Sequence, residues 1–219
     1  GLPRYRDGSD LKLGRSTCLD PSWNTWRSQR TTVFGDVKHQ INEDWALKVA
    51  SVYTKNTQDI KYAFASGAVT PGVGTTGMLG SLYDYDQVDY GLDAYVDGKF
   101  AAFGQQHELV VGVNASRSKK DDFYSVAFLP QRQNVFNPDK HIPEPDESYF
   151  IDNSSRGGPV NSVTRQQGLY STLRLKLADP LTLVVGGRVS WYDSDTDSVF
   201  INSGTSEHSS TTETGQVTP

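Results

Sequence analysis

The sequence has almost no cysteine and no long apolar run, and each absence removes a class of protein. Cys18 is the single cysteine among 219 residues. It cannot close an internal disulfide, so the chain is not a small disulfide-stapled domain, and we interpret Cys18 as an unpartnered loop thiol. No run of ~18 apolar residues could span a bilayer as a helix. Together with a mean hydropathy of −0.54, this excludes a helical membrane protein.

Basic clusters and catalytic motifs are also missing. The net charge is −5 and the pI is near 5.3, whereas a surface that binds nucleic acid needs clustered Lys and Arg. We therefore expect no nucleic-acid partner. The four histidines are scattered, and the sequence has no metalloprotease, nucleophile-elbow or phosphate-loop motif. We expect no enzymatic activity, no catalytic residue and no cofactor.

The start of the chain lacks the pattern of a secretory leader. Residues 1–8 are polar and do not form a basic stretch that leads into an apolar one. We expect the chain to begin inside a longer protein.

Aromatic residues and glycine are abundant, and they favour strands and turns. The chain has 11 Tyr, 9 Phe, 4 Trp and 20 Gly, but one Met. Six segments alternate apolar and polar residues, and tight turns join them into three hairpins. The segments are 30–41 with 45–57, 83–103 with 107–128, and 165–177 with 181–202, joined at 42–44, 104–106 and 178–180.

Long polar stretches separate the three hairpins. They cover 58–82 and 129–164, and the chain starts and stops in similar material at 1–29 and 203–219. Loops of this length are uncommon in a compact soluble domain. Short turns at one edge and long loops at the other are typical of an outer-membrane barrel. The pattern predicts an all-β chain of antiparallel up-and-down hairpins, a partial segment of a transmembrane β-barrel.

One face of these strands should carry no charge, because residues of one parity share a face. Thirty positions of that parity hold no Asp, Glu, Lys or Arg, although about six would be charged at the chain's 21 % charged content. A lipid-facing surface should be depleted in this way. The positions are Val33, Gly35, Val37, His39, Ile41, Trp45, Leu47, Val49, Ser51, Tyr53, Val88, Tyr90, Leu92, Ala94, Val96, Leu109, Val111, Val113, Ala115, Leu169, Ser171, Leu173, Leu175, Leu177, Leu181, Leu183, Val185, Gly187, Val189 and Trp191.

The opposite parity is rich in charge, as expected for the inside of a barrel. Trp45, Tyr53 and Trp191 close the ends of the apolar bands, which resembles aromatic girdles. The alternative is a soluble β-rich binding domain of lectin or adhesin type, in which the same apolar residues would meet between two sheets. The charged positions are Asp36, Lys38, Lys48, Asp89, Asp93, Asp97, Glu108, Arg174, Lys176 and Arg188.

Several stretches resemble TonB-dependent ferric-siderophore receptors of the ferric-pyoverdine and ferrioxamine type. They are Gly1-Leu2-Pro3-Arg4-Tyr5-Arg6-Asp7-Gly8, Trp23-Asn24-Thr25-Trp26, 42–48 and above all 83–100. The resemblance covers almost the whole chain, and it rests on the succession of these stretches.

The resemblance implies a segment of an outer-membrane receptor from a Gram-negative bacterium. Such a receptor binds ferric siderophores and imports them with TonB-derived energy. Six strands would form about a quarter of a 22-stranded wall, so we expect residues 1–219 to be a partial barrel domain with no plug domain and no TonB box. The expected partners are a ferric siderophore and outer-membrane lipid, with the TonB complex reached only through other parts of the receptor.

A ferric siderophore arrives already chelated, so the chain needs aromatic and polar contacts and no metal ligands of its own. Tyr83, Tyr85 and Tyr192 have inward parity near loops and are candidate ligand contacts. Five loop residues are further candidates, and for all eight the alternative is an aromatic or polar side chain that packs a loop or girdle. The five are Trp23, Trp26, Arg132, Tyr149 and Phe150.

Asp193, Asp195 and Asp197 alternate along one extended segment and point the same way. Their spacing lacks the glycine and the final glutamate of an EF-hand loop. We interpret them as a solvated strand end above the membrane.

Overall fold

The computed structural model describes residues 3–202 and 205–217, and its strands form one antiparallel sheet in chain order. Gly1 and Leu2, which belong to the first of the stretches quoted above, lie outside the described residues. So do 203, 204, 218 and 219 of the predicted terminal loop. The strands are β1 (Thr25–Gln40), β2 (Trp45–Ser66), β3 (Thr75–Ala102), β4 (Gln105–Asn134), β5 (Ser154–Ala178), β6 (Leu181–Asn202) and β7 (Thr205–Val217), and helix α1 covers Glu147–Asp152.

The prediction of antiparallel up-and-down hairpins is confirmed. Each strand pairs with its neighbour in sequence, from β1 to β7. Among residues 3–202 and 205–217, no helix has the length and apolar character needed to span a bilayer.

The three short turns lie at one edge of the sheet and use ordinary turn chemistry. Phe103 and Gly104 both have positive φ, at 53° and 74°, as a two-residue hairpin turn that follows the twist of the strands requires. In the first turn, the side-chain oxygen of Asn42 accepts hydrogen bonds from the backbone N–H groups of Asp44 and Trp45, each at 2.9 Å. Local sequence therefore fixes where β2 and β4 begin.

The predicted count of six strands is wrong, and so are the predicted lengths of the first five segments, whereas the predicted segment 181–202 coincides with β6. Most of the predicted loop 58–82 belongs to β2 and β3, and both ends of 129–164 belong to β4 and β5. A seventh strand, β7, lies in the predicted terminal loop. Beyond Lys55 of β2, and in the strand extensions paired with it, apolar residues occur on both faces among polar ones, so the simple alternation disappears although the cross-strand pairing continues.

The register confirms that twenty-eight of the thirty uncharged positions share one face. One row across the sheet joins Val37, Val49, Ala94, Val113, Leu169 and Val189. These side chains do not meet in a core, because the exposed fraction is 68 % for Val37 and 52 % for Val113. Ile41 and Leu177 lie at strand ends, outside the paired residues. We call this surface the outward face, and the other side of the sheet is the inward face.

The length of the apolar band on the outward face matches a membrane. On β2 it extends from Trp45 to Tyr53, and the next outward residue is Lys55. On β6 it extends from Leu181 to Trp191, and the next is Asp193. These stretches match the ~9–11 residues with which a tilted strand crosses hydrocarbon.

The inward face is polar, and its side chains pair across strands. Lys48 lies 3.9 Å from Asp36, and Arg174 lies 3.3 Å from Glu108. The hydroxyl of Tyr170 donates to the carboxylate of Asp93 at 3.1 Å. This face lines a trough of about 450 Å³ in the middle of the sheet. Such a surface is suited to water or to other polar protein and not to lipid.

Two small apolar cores lie on the outward face beyond the band. Phe150 of α1 is fully buried against Ala63, Met78 and Ala127. A second core consists of Leu11, Leu19, Val69 and Val135. The segments 3–24 and 135–153 therefore fold against the outward face and leave the opposite, inward surface of the same strands uncovered.

A charge in the middle of the apolar band should weaken the barrel that contains this chain. Val113→Arg places a guanidinium on the outward face and is expected to cost about 2–4 kcal/mol. Val110→Arg, on the inward face opposite Asp97, is the matched control and should cost much less. Denaturant unfolding in phospholipid vesicles measures both, and equal costs would contradict the assignment of the faces.

Gly80→Ala should loosen the packing of α1. An added Cβ would lie 2.7 Å from Cε1 of Phe150 and 3.0 Å from Cδ2 of Leu129, so overpacking is expected to cost about 1–3 kcal/mol. Gly187→Ala, with no atom within 4 Å of the new Cβ, is the control. Protease cleavage of 135–153 should become faster for Gly80→Ala alone. Equal cleavage rates for the two variants would argue against this packing.

Candidate functional site

Six aromatic rings form a stacked cluster on the inward face, on the long-loop side of the apolar band. Tyr62 stacks on Tyr83 with centroids 6.1 Å apart and planes 5° from parallel, and Tyr83 stacks on Tyr124 at 6.0 Å and 14°. Trp26, Phe64 and Tyr85 extend the stack at 6.1, 5.9 and 5.7 Å. We call this cluster the aromatic ladder: Trp26, Tyr62, Phe64, Tyr83, Tyr85 and Tyr124.

The strand register builds the ladder from four neighbouring strands. Trp26 pairs with Ile60, Ile60 with Tyr83, and Tyr83 with Tyr124. Tyr62 lies one inward position further along β2 and reaches both Trp26 and Tyr83. Ile60 is buried, with 4 % exposure. Aromatic rings at directly opposed and diagonal positions are close enough to interact, so the backbone itself sets the spacing of the rings.

Two tyrosines of the ladder, Tyr83 and Tyr85, have raised pKa values and remain neutral well above physiological pH. Burial raises the pKa of Tyr83 to about 12, and the hydrogen bond with Tyr62 adds to this effect. Burial also raises the pKa of Tyr85, and the carboxylate of Asp122 acts in the same direction. Both phenols therefore remain hydrogen-bond donors.

Asp122 lies directly opposite Tyr85 in the register. Burial raises the pKa of this carboxyl group, and Lys120 opposes the shift. The ladder therefore has one acidic neighbour whose charge is partly balanced by a nearby ammonium group.

Four basic residues surround the ladder on the inward face. Arg30 and Lys120 lie in the row of Gln87, which is nearer to the apolar band than the ladder is. Further from the band than the ladder, Arg156 lies opposite Val126 and Arg132 lies opposite Gly77. Arg132 is exposed, and its guanidinium donates to the hydroxyl and the carbonyl of Thr75, each at 3.4 Å. The site thus combines flat aromatic surfaces, phenol donors and cations.

The structure brings three of the predicted residues together and separates the others. Trp26, Tyr83 and Tyr85 belong to the ladder, and Arg132 lies on the same face. Tyr192 is also inward, but it pairs with Gln166 at the height of the apolar band. It therefore stands apart from the ladder.

The loops are packed by three of the other candidates, which agrees with the alternative that these side chains pack a loop: Trp23, Tyr149 and Phe150. Phe150 is fully buried, so its assignment as a ligand contact is corrected to a core residue. The indole N–H of Trp23 donates to the carbonyl of Ile142 at 3.0 Å. The hydroxyl of Tyr149 donates to the carbonyl of Phe128 at 2.8 Å.

Three residues of the ladder were not among the candidates from the sequence: Tyr62, Phe64 and Tyr124. Tyr124 lies in a predicted strand with inward parity, so parity alone could have identified it. Tyr62 and Phe64 lie in a segment that was interpreted as a loop. If β2 is extended to Ser66, its even-numbered residues continue to face inward, and Tyr62 and Phe64 are among them.

The comparisons with known proteins agree with this geometry. A model of the β-barrel of TonB-dependent receptor-like proteins matches residues 2–219. The chain belongs to this family. The alternative of a soluble lectin or adhesin domain is wrong, because one continuous sheet replaces the two facing sheets that it requires.

Curated relatives are receptors for one class of siderophore. The ferric-pyoverdine M114 receptor of Pseudomonas sp. strain M114 is 68 % identical over 223 residues, which cover 100 % of this chain and 27 % of that receptor. The ferripyoverdine receptor of Pseudomonas aeruginosa is 28 % identical over 191 residues, 84 % of this chain and 22 % of the receptor. The chain thus spans about a quarter of the length of these relatives.

Solved structures show the same fold. A ferric-pyoverdine complex of the P. aeruginosa receptor FpvA has a TM-score of 0.80 at 25 % identity, covering 100 % of this chain and 28 % of that one. The ferric-catecholate import receptor Fiu of E. coli has a TM-score of 0.73 at 15 % identity, covering 91 % and 31 %. The second match concerns the fold alone.

Alkaline titration should identify Tyr83 in the folded protein. The difference in phenolate absorbance between the wild type and Tyr83→Phe is expected to show one group with a pKa of about 12, which moves to about 10 after unfolding. Because the folded-state pKa is the higher one, neutral Tyr83 stabilises the fold below about pH 10, and this contribution is lost as the pH rises through 12. In Tyr62→Phe the folded-state pKa should fall, and a titration near 10 in the folded wild type would contradict the packing.

Proposed function

We propose that this chain is part of the wall of an outer-membrane receptor in a Gram-negative bacterium, which binds a ferric siderophore of the pyoverdine class and imports it. The observation that supports this proposal most directly is the aromatic ladder, which is open on the inward face beyond the membrane band. The 68 % identity to a ferric-pyoverdine receptor supports the same ligand class.

The ladder has the chemistry that a ferric chelate needs. The chelator supplies the iron ligands, so the wall has to hold only the organic surface. Stacked rings offer flat apolar area, and the neutral phenols of Tyr83 and Tyr85 offer hydrogen-bond donors. Arg30, Lys120, Arg132 and Arg156 attract the oxygen-rich exterior of such a chelate. We propose no catalytic step and no resident cofactor.

Transport requires more than this segment. Closure of the barrel requires further strands, because an open sheet edge in hydrocarbon leaves backbone groups unpaired. We assign the use of TonB-derived energy to other portions of the receptor. In this proposal the chain supplies part of the ligand surface and part of the lipid-facing wall.

The ladder can be tested in a chimera in which this chain replaces the matching segment of the M114 receptor. Tyr83→Ala and Tyr62→Ala should each weaken binding of ferric pyoverdine by about 3- to 10-fold, because a stacked ring contributes ~0.5–1.5 kcal/mol beyond its buried area. Fluorescence quenching or calorimetry measures the affinity.

Tyr53→Ala is the matched control, because the same residue type faces outward there. Its affinity should equal that of the unmodified chimera. Unchanged affinity in both ladder variants, with the chimera itself active, would overturn the role of the ladder.

A further inference from the structure

Charged side chains on the outward face are ordered by height above the apolar band. Tyr53, Tyr90, Arg117 and Arg165 share one row, with Asp193 beside them. The next row holds Lys55, Lys119 and Asp195, and the third holds Asp86, Asp121 and Asp197. In these three rows of β2, β3 and β4, the cations are therefore nearest to the apolar band and the carboxylates are further out.

Arg117 and Arg165 lie directly opposite each other on β4 and β5. Like charges at opposed positions are unfavourable. The guanidinium of Arg165 is held by Asp193 at 2.6 Å and Asp195 at 3.2 Å. Within residues 3–202 and 205–217, no carboxylate lies within ion-pair distance of Arg117. The pair therefore leaves one uncompensated guanidinium at the edge of the apolar band.

Lys55 and Lys119 can add to this positive charge. Lys119 lies 2.6 Å from Asp121, and Lys55 lies 3.3 Å from Asp86. All four side chains are substantially exposed, and exposed ion pairs of this kind contribute only ~0–1 kcal/mol. Both ammonium groups can therefore turn toward an anion beside Arg117 at little cost.

The height of this patch selects the anion. The rings of Tyr53 and Tyr90 lie 5.3 Å apart and close the apolar band, and aromatic side chains at such positions mark the level of lipid headgroups. Arg117 is in the same row. A phosphate of a lipid headgroup is the anion found at this level, and the planar guanidinium fork fits phosphate oxygens in a bidentate manner.

We infer that Arg117, supported by Lys119 and Lys55, binds the phosphate group of an outer-leaflet lipid headgroup. The inference rests on the membrane location proposed above and is independent of the siderophore. It gives the outward wall a specific lipid contact in addition to its apolar band.

The test uses the same chimera in neutral detergent, with native mass spectrometry to count bound lipid. Diphosphoryl lipid A should bind the unmodified chimera more tightly than its dephosphorylated form. Arg117→Gln should weaken binding of diphosphoryl lipid A about fivefold, as expected for one cation at a membrane surface. Arg117→Gln combined with Lys119→Gln should weaken it further.

Three controls keep the inference falsifiable. Arg27→Gln removes an exposed outward arginine further from the band and should leave lipid binding unchanged. Arg117→Lys, which keeps the charge but loses the fork, should fall between wild type and Arg117→Gln and also serves if the glutamine variant does not fold. Ferric-pyoverdine affinity should be the same in all these variants, since their side chains lie on the face opposite the aromatic ladder.

Equal binding of phosphorylated and dephosphorylated lipid A would overturn the inference, as would equal loss in Arg27→Gln and Arg117→Gln. Competition by inorganic phosphate as strong as that by lipid would also overturn it, because the patch would then be a general anion site. If the chimera binds ferric pyoverdine but not diphosphoryl lipid A, the lipid inference is refuted and the proposed function is not.

Discussion

Hydrogen bonding between neighbouring strands is the constraint on which the other features of this wall depend. Hydrocarbon offers no partner for a backbone N–H or C=O group, so each strand that crosses it must pair along its length. Pairing fixes a register, and the register passes the parity of one strand to the next. Val37 on β1 and Val189 on β6 therefore face the same way although four strands separate them. An apolar outward band and a polar inward face follow from this one rule.

The same register arranges the aromatic ladder. Its rings come from four strands, and their near-parallel planes result from side chains that stand on adjacent strands of one sheet. A surface built in this way is ordered before a ligand arrives, so little side-chain entropy remains to be lost on binding. The neutral phenols add donors without adding charge.

The alternation of apolar and polar residues identified the strand segments of the apolar band, and it did not identify the strand segments beyond that band. Trp45–Tyr53 alternates apolar with polar residues because its outward side chains form the apolar band, and this alternation predicts β2. Past Lys55 the outward side chains pack against loop residues such as Phe150 and the inward side chains include aromatic rings, so Tyr62 and Phe64 had no alternating context to identify them as strand residues. Nine of the thirteen residues of β7 are Ser, Thr or Glu, and only its pairing with β6 defines it. Which rings stack also depends on register between distant segments, and no local pattern contains that information.

The two loop cores lie behind the wall and not over its inner surface. Phe150 and Leu19 are packed on the side away from the aromatic ladder, so the residues that anchor the loops are not those of the proposed ligand surface. Substitutions that adapt the ladder to a different chelate need not disturb that packing, and substitutions that alter the exposed loop surface need not alter the ladder. The residues of the ladder and the residues of the exposed loop surface can therefore change independently of each other, although both belong to one stretch of chain.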